Sequence, residues 1–443
     1  MSGSKKISRR ELLKAATVAG IGGMTLGLSK VGEAASPKEK PPAQTKSKKK
    51  ILGVDVIKVG GQGVISGAHA DYGWQIQSGA ILAIDEINAK GGILGSKLEL
   101  KFMDEELKPA VAVKNARYLA TDWGAHLLFG VDSSGSAMAV GPILPELDRI
   151  CVFDHASTHR LTEELVYGKG IKQIFRIAAP VYQESNLAAL IFKEFPNIKR
   201  WAGIHCDYEY GYSVWALFKD TLKKYRPDVE FVSIAWAPFW TMDFSSHISA
   251  VMAAKPDAII ATPWAGEGVM LLRQALMLGV FDNIQAWFQC MGGSVDILEG
   301  ISREVAAGKF KDKLWATARY IHNYPDTPEN NKFVASFRKR WNRFPNYSAE
   351  SAYSTIYVFK AALEKSRSLK TPDLIKAMEG LKLMTPAGER FFRPEDHQAI
   401  YNVPGGRVVI DPNYPIPIVG DLKVFPAQAY YRNPPFEPLK MDK

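Results

Sequence analysis

Cysteine is scarce: 443 residues contain three, Cys151, Cys206 and Cys290. They are odd in number, far apart and without C-x-x-C spacing, which excludes a zinc knuckle and a disulfide framework; one pair could bridge in an oxidising compartment, and buried free thiols fit at least as well. Excess charge is also missing from most of the chain. The net charge is +10, but residues 1–35 hold six basic and two acidic side chains and residues 36–50 six lysines and one glutamate, which leaves +1 for residues 51–443. A body so nearly neutral lacks the clustered Lys and Arg that neutralise phosphates, so no nucleic-acid partner is expected. Catalytic signatures are absent as well. No G-x-S-x-G elbow occurs, and Asp154, His155 and Ser157, although of triad type, are sequence neighbours, which seldom meet in triad geometry. His155-x-x-x-His159 lacks a third ligand for a metal. In Gly61-Gln62-Gly63-Val64-Ile65-Ser66-Gly67 the third glycine comes one residue late for a dinucleotide loop, and the stretch reads as a flexible lip. The chain is therefore expected to be no enzyme, with no catalytic residue, metal or cofactor.

What is present is an address followed by a folded body. Ser8-Arg9-Arg10-Glu11-Leu12-Leu13-Lys14 precedes a weakly apolar run, Ala15 to Leu28, and small residues at Gly32-Glu33-Ala34-Ala35. This resembles a twin-arginine signal peptide over residues 1–35, and the run is shorter than the roughly 20 apolar residues of a spanning helix. Residues 36–50 are Pro- and Lys-rich, a flexible linker by composition. No later apolar run is long enough to cross a bilayer, so a periplasmic location is expected. With 47% hydrophobic and 23% charged residues the remainder can bury a sizeable core, and its length suits two domains of roughly 100–200 residues each.

From Ile51 short apolar stretches alternate with helical periodicity. Ile51–Val59, Leu98–Met103 and His126–Gly130 read as strands; Trp74–Asn88 and Ala110–Trp123 read as helices. After Phe175-Arg176-Ile177-Ala178 the rhythm restarts, with strands at Trp201–His205, Val229–Trp236 and Ala258–Thr262 and helices at Gly211–Tyr225, Phe244–Ala254 and Gly268–Leu278. This order predicts α/β architecture with mainly parallel sheets, in which ligands bind beyond the carboxyl ends of the strands. Helical patterns return at Asn330–Phe344 and Ala349–Lys365 and are expected to pack on the first lobe. The Pro-, Gly- and aromatic-rich tail from Thr385 reads as turns and short strands.

Ala70-Asp71-Tyr72-Gly73, then Gly79-Ala80 and Ala83-Ile84-Asp85-Glu86-Ile87-Asn88-Ala89-Lys90-Gly91-Gly92-Ile93-Leu94-Gly95, resemble the opening of the type I periplasmic binding proteins, in particular the branched-chain amino acid (leucine/isoleucine/valine) receptors of ABC transporters. The likeness continues through Gly130-Val131-Asp132-Ser133-Ser134-Gly135, Tyr210-Gly211, Asp243-Phe244-Ser245 and Leu272-Arg273-Gln274-Ala275 and covers nearly all of residues 51–400. The resemblance implies two Rossmann-like lobes joined by three crossovers around a cleft. Lobe 1 would comprise 51–177 plus about 322–385, and lobe 2 would comprise 178–321 plus about 386–443. The implied function is that of a substrate-binding protein, a monomer that closes on a small amino-acid-like, amide or aromatic or apolar carboxylate ligand and docks on membrane permease subunits; the alternative is the ligand-sensing module of a signalling system.

The resemblance also implies binding residues. Ser133 and Ser134 match the loop that donates to a ligand carboxylate; Ala156, Ser157 and Thr158 match the next loop; Tyr72, Tyr210 and Trp264 match aromatic walls, and His155 stands where relatives carry proline. By the residues alone, Ser133-Ser134 could equally cap a helix, and the tyrosines could be ordinary core. One departure concerns the ligand. The family's glutamate for the amino acid ammonium is matched by Met291, in Gln289-Cys290-Met291-Gly292-Gly293. A buried ammonium without an anion is costly, which disfavours an α-amino acid. Together with Tyr208, Phe239 and Trp240 the pattern points to an amide or an aromatic or apolar carboxylate.

Overall fold

Five short strands build the first sheet: β1 (Val56–Gly63), β2 (Lys97–Asp104), β3 (Leu127–Gly130), β4 (Cys151–Phe153) and β5 (Ile174–Arg176). All pair in parallel, in the order β2-β1-β3-β4-β5. β3, β4 and β5 are buried along their whole length, as expected where helices cover both faces. A computed structural model provides this description for residues 50–441; the expected signal peptide and all of the expected linker but Lys50 lie outside the described residues. The second sheet contains β6 (Arg200–Cys206), β7 (Glu230–Ala237), β8 (Ala258–Ala261), β9 (Ala286–Gln289) and β10 (Leu314–Thr317), again parallel. A small antiparallel sheet, β11 (Lys382–Thr385), β12 (Gly388–Phe392) and β13 (Ala399–Ile400), follows. Finally β14 (Gly405–Val409) and β15 (Ile418–Lys423) extend the second sheet antiparallel, to give β15-β14-β10-β9-β8-β6-β7.

The path between the sheets places the loops. From β5 the chain enters the fully buried helix Val181–Phe192 and reaches β6. After β10 it turns away into the helices Pro328–Trp341 and Tyr347–Ser366, which lie on the helix Ala70–Ala89 between β1 and β2. The contact is close: a Cβ on Gly79 would run into the carbonyl oxygen of Ala349. Around it Arg340 pairs with Asp85 at 2.5 Å, and Glu86 accepts from Tyr353 and Tyr357 at 2.8 and 2.7 Å.

The periodic segments fall within a few residues of their expected positions, with two differences. The first strand begins at Val56, because Ile51–Gly53 form a turn, with Gly53 at φ 73°. The Gly61–Gly67 stretch is no flexible lip over its first half: Gly61 to Gly63 complete β1. Glycine is needed there because the rings of Phe129 and Phe102 stand 2.6 and 2.7 Å from where a Gly61 Cβ would be. The three cysteines are buried and free.

Candidate functional site

The loops that follow β3, β4, β6, β8, β9 and β10 leave from the carboxyl ends of their strands and converge on one small cavity of about 20 Å³, room for a water molecule and well below the roughly 300–1,000 Å³ of occupied small-molecule sites. Ser134, His155, Ser157, Tyr210, Trp264 and Met291, all expected from the sequence, stand on its wall, joined by Asp132, Tyr208, Arg319 and Tyr347. The backbone there is strained. Val131, Ala265 and Met291 occupy the left-handed region at φ 73°, 54° and 63°, a conformation that costs a non-glycine residue of order 1–3 kcal/mol and that clusters at ligand sites.

Arg319, just past β10, dominates the electrostatics. Its side chain is 5% exposed; Nε donates to Glu184 Oε1 at 3.0 Å, Nη1 to the His155 carbonyl at 2.5 Å and Nη2 to Ser157 Oγ at 2.9 Å. A guanidinium carries five N–H donors, so one remains on each terminal nitrogen of a side chain that lines the cavity. Its carbon lies 5.0 Å from the Tyr347 ring centre and 5.9 Å from that of Tyr210. Burial pushes the Glu184 carboxyl up, opposed by Arg319 and by the Tyr210 hydroxyl that donates to it. Burial pulls Arg319 down, but Glu184 together with Tyr347 and Tyr210 outweighs it, so the guanidinium is held firmly protonated.

Aromatic rings close the rest. The Trp264 indole N–H donates to the Tyr208 hydroxyl at 3.1 Å, and Tyr208 stacks on Phe239 with centroids 4.3 Å apart. His69, stripped of water and pushed down to about 4, packs 4.3 Å from the Trp264 centroid and 4.8 Å from that of Trp240. His155 is likewise driven below its ordinary range by burial and by Arg319, so its ring is neutral; Nε2 meets the Tyr347 hydroxyl at 2.8 Å.

Four expected residues are not on the wall. Tyr72 stands behind it, its ring edge-on to Trp264 at 4.8 Å and its hydroxyl donating to Asp296 at 3.1 Å. Ala156 is buried, its N–H on the Val131 carbonyl at 3.2 Å. The Thr158 hydroxyl donates to Glu209 at 3.1 Å and its carbonyl accepts from Arg176. Ser133 caps the helix Ser134–Val140, Oγ accepting the Ser136 N–H at 3.0 Å. The Ser133 amide, in the loop that the resemblance matches to a carboxylate-binding one, donates instead to Glu105 Oε1 at 3.3 Å, beside the Asp132 amide at 3.0 Å. Removing the cap in Ser133→Ala is expected to lower the unfolding free energy by about 1 kcal/mol, measurable by urea denaturation; no loss would show that the hydroxyl is free for another task. Sequence reasoning missed Arg319, Glu184 and Tyr347. Recognition of Leu314–Thr317 as a strand would have flagged Arg319, because the residues after strand ends are where α/β sites lie.

The family model for periplasmic binding proteins matches residues 56–411, the span that holds both sheets up to β14 and every residue of the cavity. The chain belongs to this family. Among similar proteins, the Leu/Ile/Val-binding protein BraC3 of Rhizobium johnstonii is 27% identical over 343 residues, covering 75% of this chain and 86% of its own. The fold is that of a Rhodopseudomonas palustris ABC transporter solute-binding protein in complex with 3,4-dihydroxybenzoic acid, with TM-score 0.75 and 23% identity over 84% of this chain and 98% of that one. It is equally that of a Streptococcus pneumoniae branched-chain amino acid transporter substrate-binding protein in complex with isoleucine, with TM-score 0.70 and 20% identity over 84% and 99%. Proteins of this family are binding receptors rather than enzymes.

Proposed function

We propose that this periplasmic binding protein is the extracytoplasmic solute receptor of an ABC importer, exported by the twin-arginine route, and that its solute is a small carboxylate with an aromatic or apolar body. Arg319 carries this reading: a buried cation with two N–H donors to spare, among Tyr208, Tyr210, Tyr347 and Trp264, is suited to bind a desolvated carboxylate attached to a flat apolar group. Met291 on the same wall supports a ligand body without a charge beside it. Solved structures of similar fold hold benzoate and 4-hydroxybenzoate, which gives the reading a precedent. Wall residues come from loops of both sheets, so a solute touching all of them would favour the closed arrangement over an open one and present one face to the permease.

A thermal-shift screen tests this. Benzoate-type acids are expected to stabilise the protein by about 2.7 kcal/mol when present at roughly 100 times their Kd, with benzamide and leucine weaker. Stabilisation by leucine alone would overturn the carboxylate reading.

A further inference from the structure

One buried acceptor on the wall is unspent. Asp132 has no side-chain exposure, and its Oδ2 accepts the Val64 N–H. Its Oδ1 has no hydrogen-bond partner. The Nδ1 of His155 lies 3.1 Å away without hydrogen-bond geometry, and that nitrogen meets Ser348 Oγ at 3.0 Å. A buried acceptor left unpaired is costly and persists where something else supplies the donor. The neighbouring acids do not compete for the place: Glu184 is engaged with Arg319 and Tyr210, and Glu105, whose Oε2 is also unpaired, is not on the cavity wall.

We infer that Asp132 Oδ1 receives a hydrogen-bond donor of the solute, so that the ligand carries a hydroxyl or amino group in addition to the carboxylate held at Arg319. The inference rests on the receptor reading above and refines it. His155 separates the two anchors, its carbonyl accepting from Arg319 and its ring facing Asp132. A carboxylate is repelled from Asp132 and drawn to Arg319, so the pair sets which way round the solute lies. Hydroxy- or amino-substituted aromatic acids meet both demands. Sites with a buried polar group reject analogues that lack its partner far more sharply than apolar pockets reject a missing methylene. The proton inventory follows as well. Burial pushes Asp132 up to about 7, so near neutral pH a donor that requires the carboxylate form draws off part of a proton into the buffer. Glu105, Asp104 and Arg319 act on this titration, and His155 stays neutral.

Titration calorimetry of the whole exported chain with benzoate, the three hydroxybenzoates and 4-aminobenzoate decides the matter. At least one substituted acid is expected to bind ten times or more tighter than benzoate, and Asp132→Asn is expected to reduce that ratio to threefold or less. Equal affinities across the wild-type series, which require no variant to fold, would overturn the role of Asp132 while leaving the carboxylate reading intact. Retention of the wild-type ratio in Asp132→Asn would do the same. If none of the acids binds, the carboxylate reading itself falls.

Discussion

Arg319→Met is expected to weaken a benzoate-type ligand at least 100-fold, which corresponds to about 2.8 kcal/mol at about 1.4 kcal/mol per decade. Two effects combine. The ligand loses its only cationic partner on the wall, and Glu184 is left buried against Tyr210 alone. Removal of one member of a buried ion pair destabilises by about 3–5 kcal/mol, whereas replacement of both by apolar groups is often neutral. The double variant Arg319→Met/Glu184→Met is therefore expected to recover most of the stability lost by the single one, read by urea denaturation, and none of the affinity, read by calorimetry. Binding within threefold of wild type in the double variant would show that the carboxylate is held elsewhere.

The largest effect on stability alone is expected for Glu350→Gln. Glu350 and Arg390 pair at 2.6 Å with both side chains fully buried, and the Arg390 guanidinium lies 4.3 Å from the Tyr401 ring centre. Tyr401 in turn accepts the Ala179 N–H at 3.1 Å and donates to the Arg319 carbonyl at 3.0 Å. Neutralising Glu350 leaves an uncompensated cation in the interior, with an expected loss of about 3–5 kcal/mol. The midpoint in urea should fall with an unchanged slope, the mark of altered stability without altered compactness. A loss below about 1 kcal/mol would mean that Arg390 does not depend on Glu350 as its counter-charge.

Much of this architecture was legible because helices and buried strands impose different periods on apolar residues. Trp74–Asn88 anticipated the helix Ala70–Ala89, and Ala258–Thr262 anticipated β8 almost to the residue. The glycines of β1 misled because a glycine chosen for close packing looks the same in sequence as one chosen for mobility; only the facing rings of Phe129 and Phe102 distinguish them. Within the cavity, residues inside matched motifs were found: Ser134, His155, Ser157, Tyr210 and Trp264 reach the wall. Arg319 escaped because it stands in Ala318-Arg319-Tyr320, a stretch with no motif, and its pairing with Glu184 spans 135 positions. Asp132 was visible in the motif, but which way a carboxylate's two oxygens face cannot be read from spacing.

The seam between Gly79 and Ala349 bears on how the chain acquires its shape. Gly79 and Glu86 lie on a helix whose partner, Tyr347–Ser366, emerges from the ribosome some 270 residues later. A nascent chain that stops short of Tyr347 has made all five strands of the first sheet yet still leaves that helix face uncovered, so the amino-terminal portion is not expected to consolidate during synthesis. Loop closure over such a span is slow relative to local helix formation. Truncations before residue 347 should accordingly be captured by chaperones or degraded, whereas folding of the full-length chain waits on its last third.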